Sequence, residues 1–235
     1  MGTGSEGRRD RLAILIDAEN VRPKFLPLII REASSIGTAF IKRVYGNFGS
    51  AAMAAWQPLL HEYALLPVHV APAAKGKNAT DLKLAIDAID ILHRRKIEGF
   101  CIASSDSDFT SLASRIREDG LAVYGFGEKK AANPYVKSCD RFFYCDLLLE
   151  EGAKGAPNSR KPTKPPLKEI LAAIEDTSSD DGWAHLGAVG SVLNKRMPDF
   201  DHRNYGFNKL SVLMKSITSL ECKSNGGGSI YVKRK

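Results

Sequence analysis

Two short apolar runs constrain this chain more than anything else in it. Leu12-Ala13-Ile14-Leu15-Ile16 and Gly99-Phe100-Cys101-Ile102-Ala103 show no apolar–polar alternation. Each therefore reads as a strand buried on both faces, as in a parallel sheet covered by helices. Each also stops abruptly. The first runs into Asp17-Ala18-Glu19-Asn20, the second into Ser104-Ser105-Asp106-Ser107-Asp108, after which Phe109, Leu112, Ala113 and Ile116 keep helical spacing. A strand that ends in acids and hydroxyls and then opens into a helix sets those side chains at the carboxyl edge of a sheet, where ligands bind in open α/β folds. Two carboxylates two residues apart repel one another unless a proton or a cation lies between them.

The segments between the two runs keep the same rhythm. Pro23 and Pro27 suit the start of a helix reaching Ile36, since proline has no N–H to leave unpaired there. Ala39 to Val44 reads as a strand, Trp56 to Leu65 as a helix, and Leu66 to Val70 as a short strand. Ala71 to Asn78 lacks periodicity and reads as a basic, flexible loop. Ala79 to Leu92 follows as an amphipathic helix whose buried stripe is expected at Leu82, Ala85, Ile86, Ile89 and Leu92. Gly120 suits the residue just past a helix end, and Leu121–Phe126 and Arg141–Tyr144 complete the strands. Such alternation predicts an α/β domain over residues 10–148, a parallel sheet with helices on both faces.

Strand ends and helix starts share one edge of such a sheet, so Asp17, Asp81, Asp106 and Asp108 can converge. Oxygen-rich clusters of this kind suit Mg²⁺ or Mn²⁺ and can support hydrolysis of a phosphodiester. A plainer reading is open beside it: Thr80 and Asp81, and Ser107 and Asp108, also fit helix caps and first-turn acids. Nucleotide-binding loops are not in evidence, for no GxGxxG or Walker lysine motif follows a strand, and Gly125-Phe126-Gly127 is too short to count. His61, His69 and His93 show no ligand spacing. Lys75, Lys77, Lys129 and Lys130 flank the expected edge and are candidates to hold a phosphate backbone. Arg94-Arg95-Lys96 needs no more than its place at a helix C-terminus.

Residues 149–166 form a Pro/Lys-rich stretch, semi-rigid by composition. Beyond it, from 167 to 235, three helices are expected: one from Leu167, one over Trp183–Leu193, and one with Leu210, Leu213, Met214 and Ile217 as its buried side. Leu220-Glu221-Cys222 and Ile230-Tyr231-Val232 make a hairpin, so the whole reads as a winged helix-turn-helix. Tyr231 is expected in the hairpin core, with stacking on a base as the alternative. Of the net charge of +7, residues 10–150 carry +1 and residues 151–235 carry +5, which points to a polyanion at the C-terminal part. The four cysteines show no CxxC pairing, as in a cytoplasmic protein. No stretch has the length to span a bilayer, and Met1 to Arg9 reads as a disordered lead-in rather than a signal peptide.

Three motifs together, Ile14-Leu15-Ile16-Asp17-Ala18-Glu19-Asn20, Lys77-Asn78-Ala79-Thr80-Asp81 and Ser104-Ser105-Asp106-Ser107-Asp108-Phe109, closely resemble the NYN domain family, in its LabA-like branch with a PIN-like fold. The resemblance implies a metal-dependent ribonuclease using Mg²⁺ or Mn²⁺. Asp17, Asp81, Asp106 and Asp108 would be both catalytic and metal-binding, with Asn20, Thr80 and Ser104 as supporting groups and Asp140 as a lesser one. Ala18 stands where the family usually has glycine. Pro198 to Leu210, with Tyr205-Gly206-Phe207 at its centre, resembles the OST-HTH or LOTUS family. That match implies RNA binding, guanine-rich RNA included; Arg203 and Lys209, among the basic residues of this part, are the candidate contacts by their charge. Some members of the family dock proteins, so a protein partner is a second expectation, and an oligomer is left open. The leading expectation is a two-part ribonuclease. The alternatives are a non-catalytic RNA-binding or adaptor protein with a vestigial site, and a nuclease that cuts DNA.

Overall fold

The computed structural model describes residues 10–71, 78–94, 96–152, 164–225 and 228–235. The expected lead-in, Lys75 and Lys77 with most of their loop, Arg95, residues 153–163 of the Pro/Lys-rich stretch, and Gly226–Gly227 of the hairpin tip lie outside the described residues. Two compact units meet in sequence between Asp146 and Leu147.

The first unit runs β1 (Arg11–Asp17), α1 (Leu26–Ile36), β2 (Thr38–Gly46), α2 (Gln57–Glu62), β3 (Leu66–His69), α3 (Ala79–His93), β4 (Gly99–Ala103), α4 (Phe109–Glu118), β5 (Ala122–Gly127), α5 (Asn133–Ser138) and β6 (Arg141–Tyr144). α6 (Cys145–Gly152) follows. The six strands form one sheet in the order β3-β2-β1-β4-β5-β6, every neighbouring pair parallel. β1 sits at the centre, pairing Leu15 with Arg43 on one side and Ile102 on the other. Leu12 to Ile16 and Phe100 to Ala103 have no exposed surface, as strands covered on both faces must. Because the chain leaves β1 toward β2 and β3, and only later returns to β4, β5 and β6, the strand order reverses between β1 and β4. That reversal opens a crevice at the carboxyl ends of these two strands.

Trp56 is buried at the end of a 3₁₀ turn, Ala51–Trp56, that precedes α2, where the sequence pattern predicts only the α-helix. α3 departs further from expectation. Its buried residues are Thr80, Leu84, Asp87, Ala88, Ile91 and Leu92, whereas Leu82 is 63% and Ile86 49% exposed. The helix is apolar nearly all the way round, so the position of its one buried acid decides its phase. Asp87 Oδ2 lies 2.9 Å from Arg43 Nη1 of β2 and accepts from the Tyr45 hydroxyl at 3.2 Å, while Lys83 Nζ stands 2.8 Å from Oδ1. Burial works to raise the Asp87 pKa, but the Lys83 hydrogen bond and charge, the Tyr45 hydroxyl and the Arg43 charge outweigh it and hold it below the ordinary value. These contacts turn the acid toward the sheet and leave Leu82 and Ile86 outside.

The second unit contains α7 (Leu167–Thr177), β7 (Ala184–His185), α8 (Leu186–Arg196), α9 (Leu210–Ser216), β8 (Leu220–Ser224) and β9 (Ile230–Arg234). Its antiparallel sheet has the order β7-β9-β8. Ile170, Ile174, Val189, Leu193, Phe200, Leu213, Met214 and Val232 share its core. The second helix starts at Leu186 rather than before it. Gly182 adopts a left-handed φ of +77°, Asp181 Oδ1 accepts from the Trp183 N–H at 3.2 Å, and the chain then enters β7.

Candidate metal centre

The acids gather where the strand order reverses. Asp17 is the last residue of β1, and the segment Ser104–Asp108 joins β4 to α4. Asp81 lies in the first turn of α3. One carboxylate oxygen from each of Asp81, Asp106 and Asp108 lies within 4.8 Å of the others. Two helix N-termini, those of α3 and α4, thus face the same acids, an arrangement that favours negative charge.

Asp17 stands behind this triad, with no exposed surface. Its Oδ2 accepts from Asn20 Nδ2 at 2.7 Å and from Ser104 Oγ at 3.0 Å, and its Oδ1 accepts from the backbone N–H groups of Glu19 and Asn20 at 3.1 and 3.2 Å. Ser104, also without exposed surface, accepts in turn from the Asp106 N–H at 3.2 Å. One hydroxyl therefore ties the buried acid of β1 to the backbone of the acidic loop. Asp106 Oδ1 accepts from the Asp108 N–H at 3.0 Å, closing a local turn before α4. Asp108 does not cap that helix with its side chain; its Oδ2 accepts from Asn78 Nδ2 at 2.6 Å. Asn78 holds the capping position of α3 yet makes no side-chain cap either. Two residues suited to helix capping thus spend their side chains on each other across the site.

Crowding shows in the titration behaviour. Burial, then the charges of Asp17, Asp106, Asp108 and Glu19, push the Asp81 carboxyl up to about 6. Burial also raises Asp17, against the opposing pull of its hydrogen bonds from Asn20, Ser104 and the backbone. Three mutually close carboxylates, one of them reluctant to ionise, make a donor set of hard oxygens that fits a small divalent cation.

Of the supporting residues, Asn20 and Ser104 touch Asp17 directly, and Thr80 is buried in the first turn of α3. Asp140 is elsewhere. It precedes β6, accepts from the Val123 N–H at 2.8 Å near the start of β5, and pairs with Arg117 Nε at 3.1 Å. It therefore sits at the amino-terminal edge of the sheet, opposite the acids. Lys129 and Lys130 are exposed just after β5, on the acids' edge. Lys130 lies 4.0 Å from Glu128, whose other partner is Arg22 at 3.1 Å. In the second unit, Arg203 forms a two-pronged pair with the buried Asp201, Nε to Oδ1 at 2.9 Å and Nη2 to Oδ2 at 2.7 Å, whereas Lys209 is exposed.

Three residues at this edge are absent from the sequence-based site. Glu19 contributes charge to Asp81, Asn78 holds Asp108, and Gly127 makes room. A Cβ at Gly127 would stand 2.7 Å from the Ser104 carbonyl oxygen and 3.0 Å from Ser105 Oγ. The first two stood inside the motifs already noted, Glu19 two residues after Asp17 and Asn78 three before Asp81. Gly127 carried no readable signal, because its constraint comes from another strand. Beside the acids, Asn78, Asp81, Leu82, Asp108 and Phe109 border a cleft of about 220 Å³.

The NYN domain profile matches residues 11–149, and the OST-HTH/LOTUS domain profile matches residues 161–232. Curated proteins gave no match. Among solved structures, a protein of unknown function from Vibrio parahaemolyticus superposes with a TM-score of 0.50 at 17% identity, over 61% of this chain and 96% of that one. An uncharacterised protein from Nitrosomonas europaea is 39% identical over 35% of this chain and 83% of that one, with a TM-score of 0.30. No helix among the described residues is long and apolar enough to cross a membrane.

Proposed function

The chain belongs to the NYN domain family, and from that premise we propose that it is a divalent-metal-dependent ribonuclease whose OST-HTH/LOTUS portion holds the RNA. The observation that carries this reading is the meeting of Asp81, Asp106 and Asp108 within 4.8 Å of one another at the crevice beside β1. These three would hold Mg²⁺ or Mn²⁺, with Asp17 behind them. When bound, such an ion polarises a phosphodiester oxygen and acidifies a water.

The chain's own residues supply order. Asn20 and Ser104 fix the Asp17 carboxylate, and Ser104 passes that position on to the loop bearing Asp106. Asn78 fixes Asp108. Lys129 and Lys130 stand ready for the phosphate backbone. The cysteines among the described residues, Cys101, Cys139, Cys145 and Cys222, are unpaired, which accords with a reducing, cytoplasmic setting. Guanine-rich RNA is the substrate class that the OST-HTH/LOTUS match favours.

Asp106→Asn tests the proposal. It keeps the turn-closing oxygen but removes one charge from the triad, so Mn²⁺-dependent cleavage of labelled single-stranded RNA should vanish while thermal unfolding changes little. Undiminished cleavage by this variant overturns the assignment, and parallel assays on DNA of the same sequence define the substrate. One observation favours the second reading, an RNA-binding protein without cleavage: Asp106 and Asp108 already accept hydrogen bonds, from the Asp108 N–H and from Asn78 Nδ2, that would hold the acidic loop without any ion. Absence of metal-dependent cleavage by the wild-type protein, beside intact RNA binding, would select it.

A further inference from the structure

The small sheet of the second unit has one face in the core and one outside it. Ala184, Val232, Cys222 and Leu220 alternate inward; Ala184 and Val232 are without exposed surface. The opposite face carries His185 on β7, Tyr231 and Lys233 on β9, and Lys223 on β8. In register, Tyr231 lies between His185 on one side and Lys223 on the other. The His185 and Tyr231 rings meet edge to face, 5.4 Å between centroids. Trp183, just before β7, completes the group. Lys223 Nζ is 3.9 Å from the Trp183 ring centroid and 5.9 Å from that of Tyr231, and Lys233 Nζ is 6.0 Å from the Trp183 ring. Lys223 and His185 are exposed, and Trp183 and Tyr231 are half-buried. None of these rings belongs to the domain's apolar core, so Tyr231 is not the core residue that the hairpin pattern suggested.

The outer face of a three-stranded sheet needs only polar residues to stay solvated. Two large aromatic rings, an imidazole and two ammonium groups are a different composition. Rings offer π-faces, and the lysines beside them offer charge. Single-stranded nucleic acid presents both partners at once, bases free to stack and phosphates a few ångströms away. A duplex keeps its bases stacked on each other. α9 reads Leu-Ser-Val-Leu-Met-Lys-Ser and carries no aromatic side chain on which a base could stack.

We infer that the outer face of the β7-β9-β8 sheet is a binding site for single-stranded RNA, with bases stacking on Trp183 and Tyr231 and phosphates held by Lys223 and Lys233. Lys233 already donates to the Asp181 carbonyl at 3.1 Å, which anchors its amine at the edge of the Trp183 ring. Glu221, opposite Lys233 in register, is an acid on the same face and would bound the path of the backbone. The inference rests on the proposal that this domain holds RNA, and it adds which surface and which form of RNA.

The test uses the full chain in EDTA, so that no cleavage occurs, and reads fluorescence anisotropy of an end-labelled, mixed-sequence 20-nucleotide RNA, single-stranded or annealed to its complement. Trp183→Ala and Tyr231→Ala should each weaken single-strand binding about 5- to 150-fold, the span seen for loss of one stacked base. Trp183→Phe and Tyr231→Phe, which keep a ring, should stay close to wild type, and they guard against a fold defect. Replacing Lys223 and Lys233 together by Ala should lower the slope of log affinity against log salt by about 1.4. Wild-type affinity in both ring-to-Ala variants, with loss on changing Lys209 and Lys215 to Ala, moves the RNA to α9 and overturns this surface while leaving the domain's role intact. Wild-type affinity in all of these variants also overturns it and leaves the face for a protein. Tighter binding of the duplex overturns it as well. No RNA binding by the wild-type chain removes the surface and the domain's proposed role together.

Discussion

Ser104 is a small residue with a large share of the order at this site. Its hydroxyl donates to one buried acid and accepts from the loop that carries two others. Ser104→Ala leaves the Asp17 carboxylate short of a donor in a place with no exposed surface. The expected cost is about 1–3 kcal/mol of stability, read by chemical denaturation, together with a clear loss of metal-dependent cleavage. A variant as stable as wild type would show that Asp17 does not depend on it. Asp81 gives a second test at this scale. Folded, it holds its proton up to about pH 6, whereas the unfolded chain releases it near about pH 4. Between those values the folded state binds more protons, so without divalent ions stability falls as pH rises through the interval. Asp81→Asn should flatten that decline in EDTA, and Mn²⁺ should relieve it in the wild-type chain. Thermal midpoints that decline equally in the two proteins would show that the carboxylates are not crowded.

Elements were legible wherever one physical pattern dominated. Leu12–Ile16 and Gly99–Ala103 read as doubly covered strands because nothing polar interrupts them, and they form β1 and β4. α3 was legible as a helix but not in its rotation. Leu82, Ile86 and Ile89 compete with Leu84, Ala88 and Ile91 for the buried side, and the deciding contact, Asp87 with Arg43, joins residues 44 apart. Trp183 was misplaced into a helix for a similar reason: its turn depends on the φ of Gly182 and a bond to Asp181. At the site, motif residues and acids could be read from the chain, while Gly127 could not, since its crowding is made by another strand. The phase of α3 yields a direct test. Leu84→Ala should cost about 2–5 kcal/mol, and Leu82→Ala within about 0.5 kcal/mol of nothing, both by urea denaturation. Equal costs would contradict the orientation described.

At the scale of the molecule, charge is divided between the two units. The excess of +5 lies in residues 151–235, whereas the first unit presents its acids at one crevice. In EDTA that crevice should repel RNA that the second unit attracts. Changing Asp81, Asp106 and Asp108 together to Asn should then tighten RNA binding about three- to tenfold at low salt, an effect that fades as salt screens it. Anisotropy titrations at two ionic strengths measure this, and unchanged affinity would mean that bound RNA does not pass the crevice. The centrality of β1 has a consequence for synthesis. Its pairing with β2 can form early, but its other flank waits for β4, and the bond from Ser104 to Asp17 spans 87 positions. A greasy ribbon made near the start of translation therefore stays half-covered until more than a hundred residues have left the ribosome. During that wait the apolar flank stays open to other chains, and the acidic crevice can be assembled only after the strand on that far side arrives.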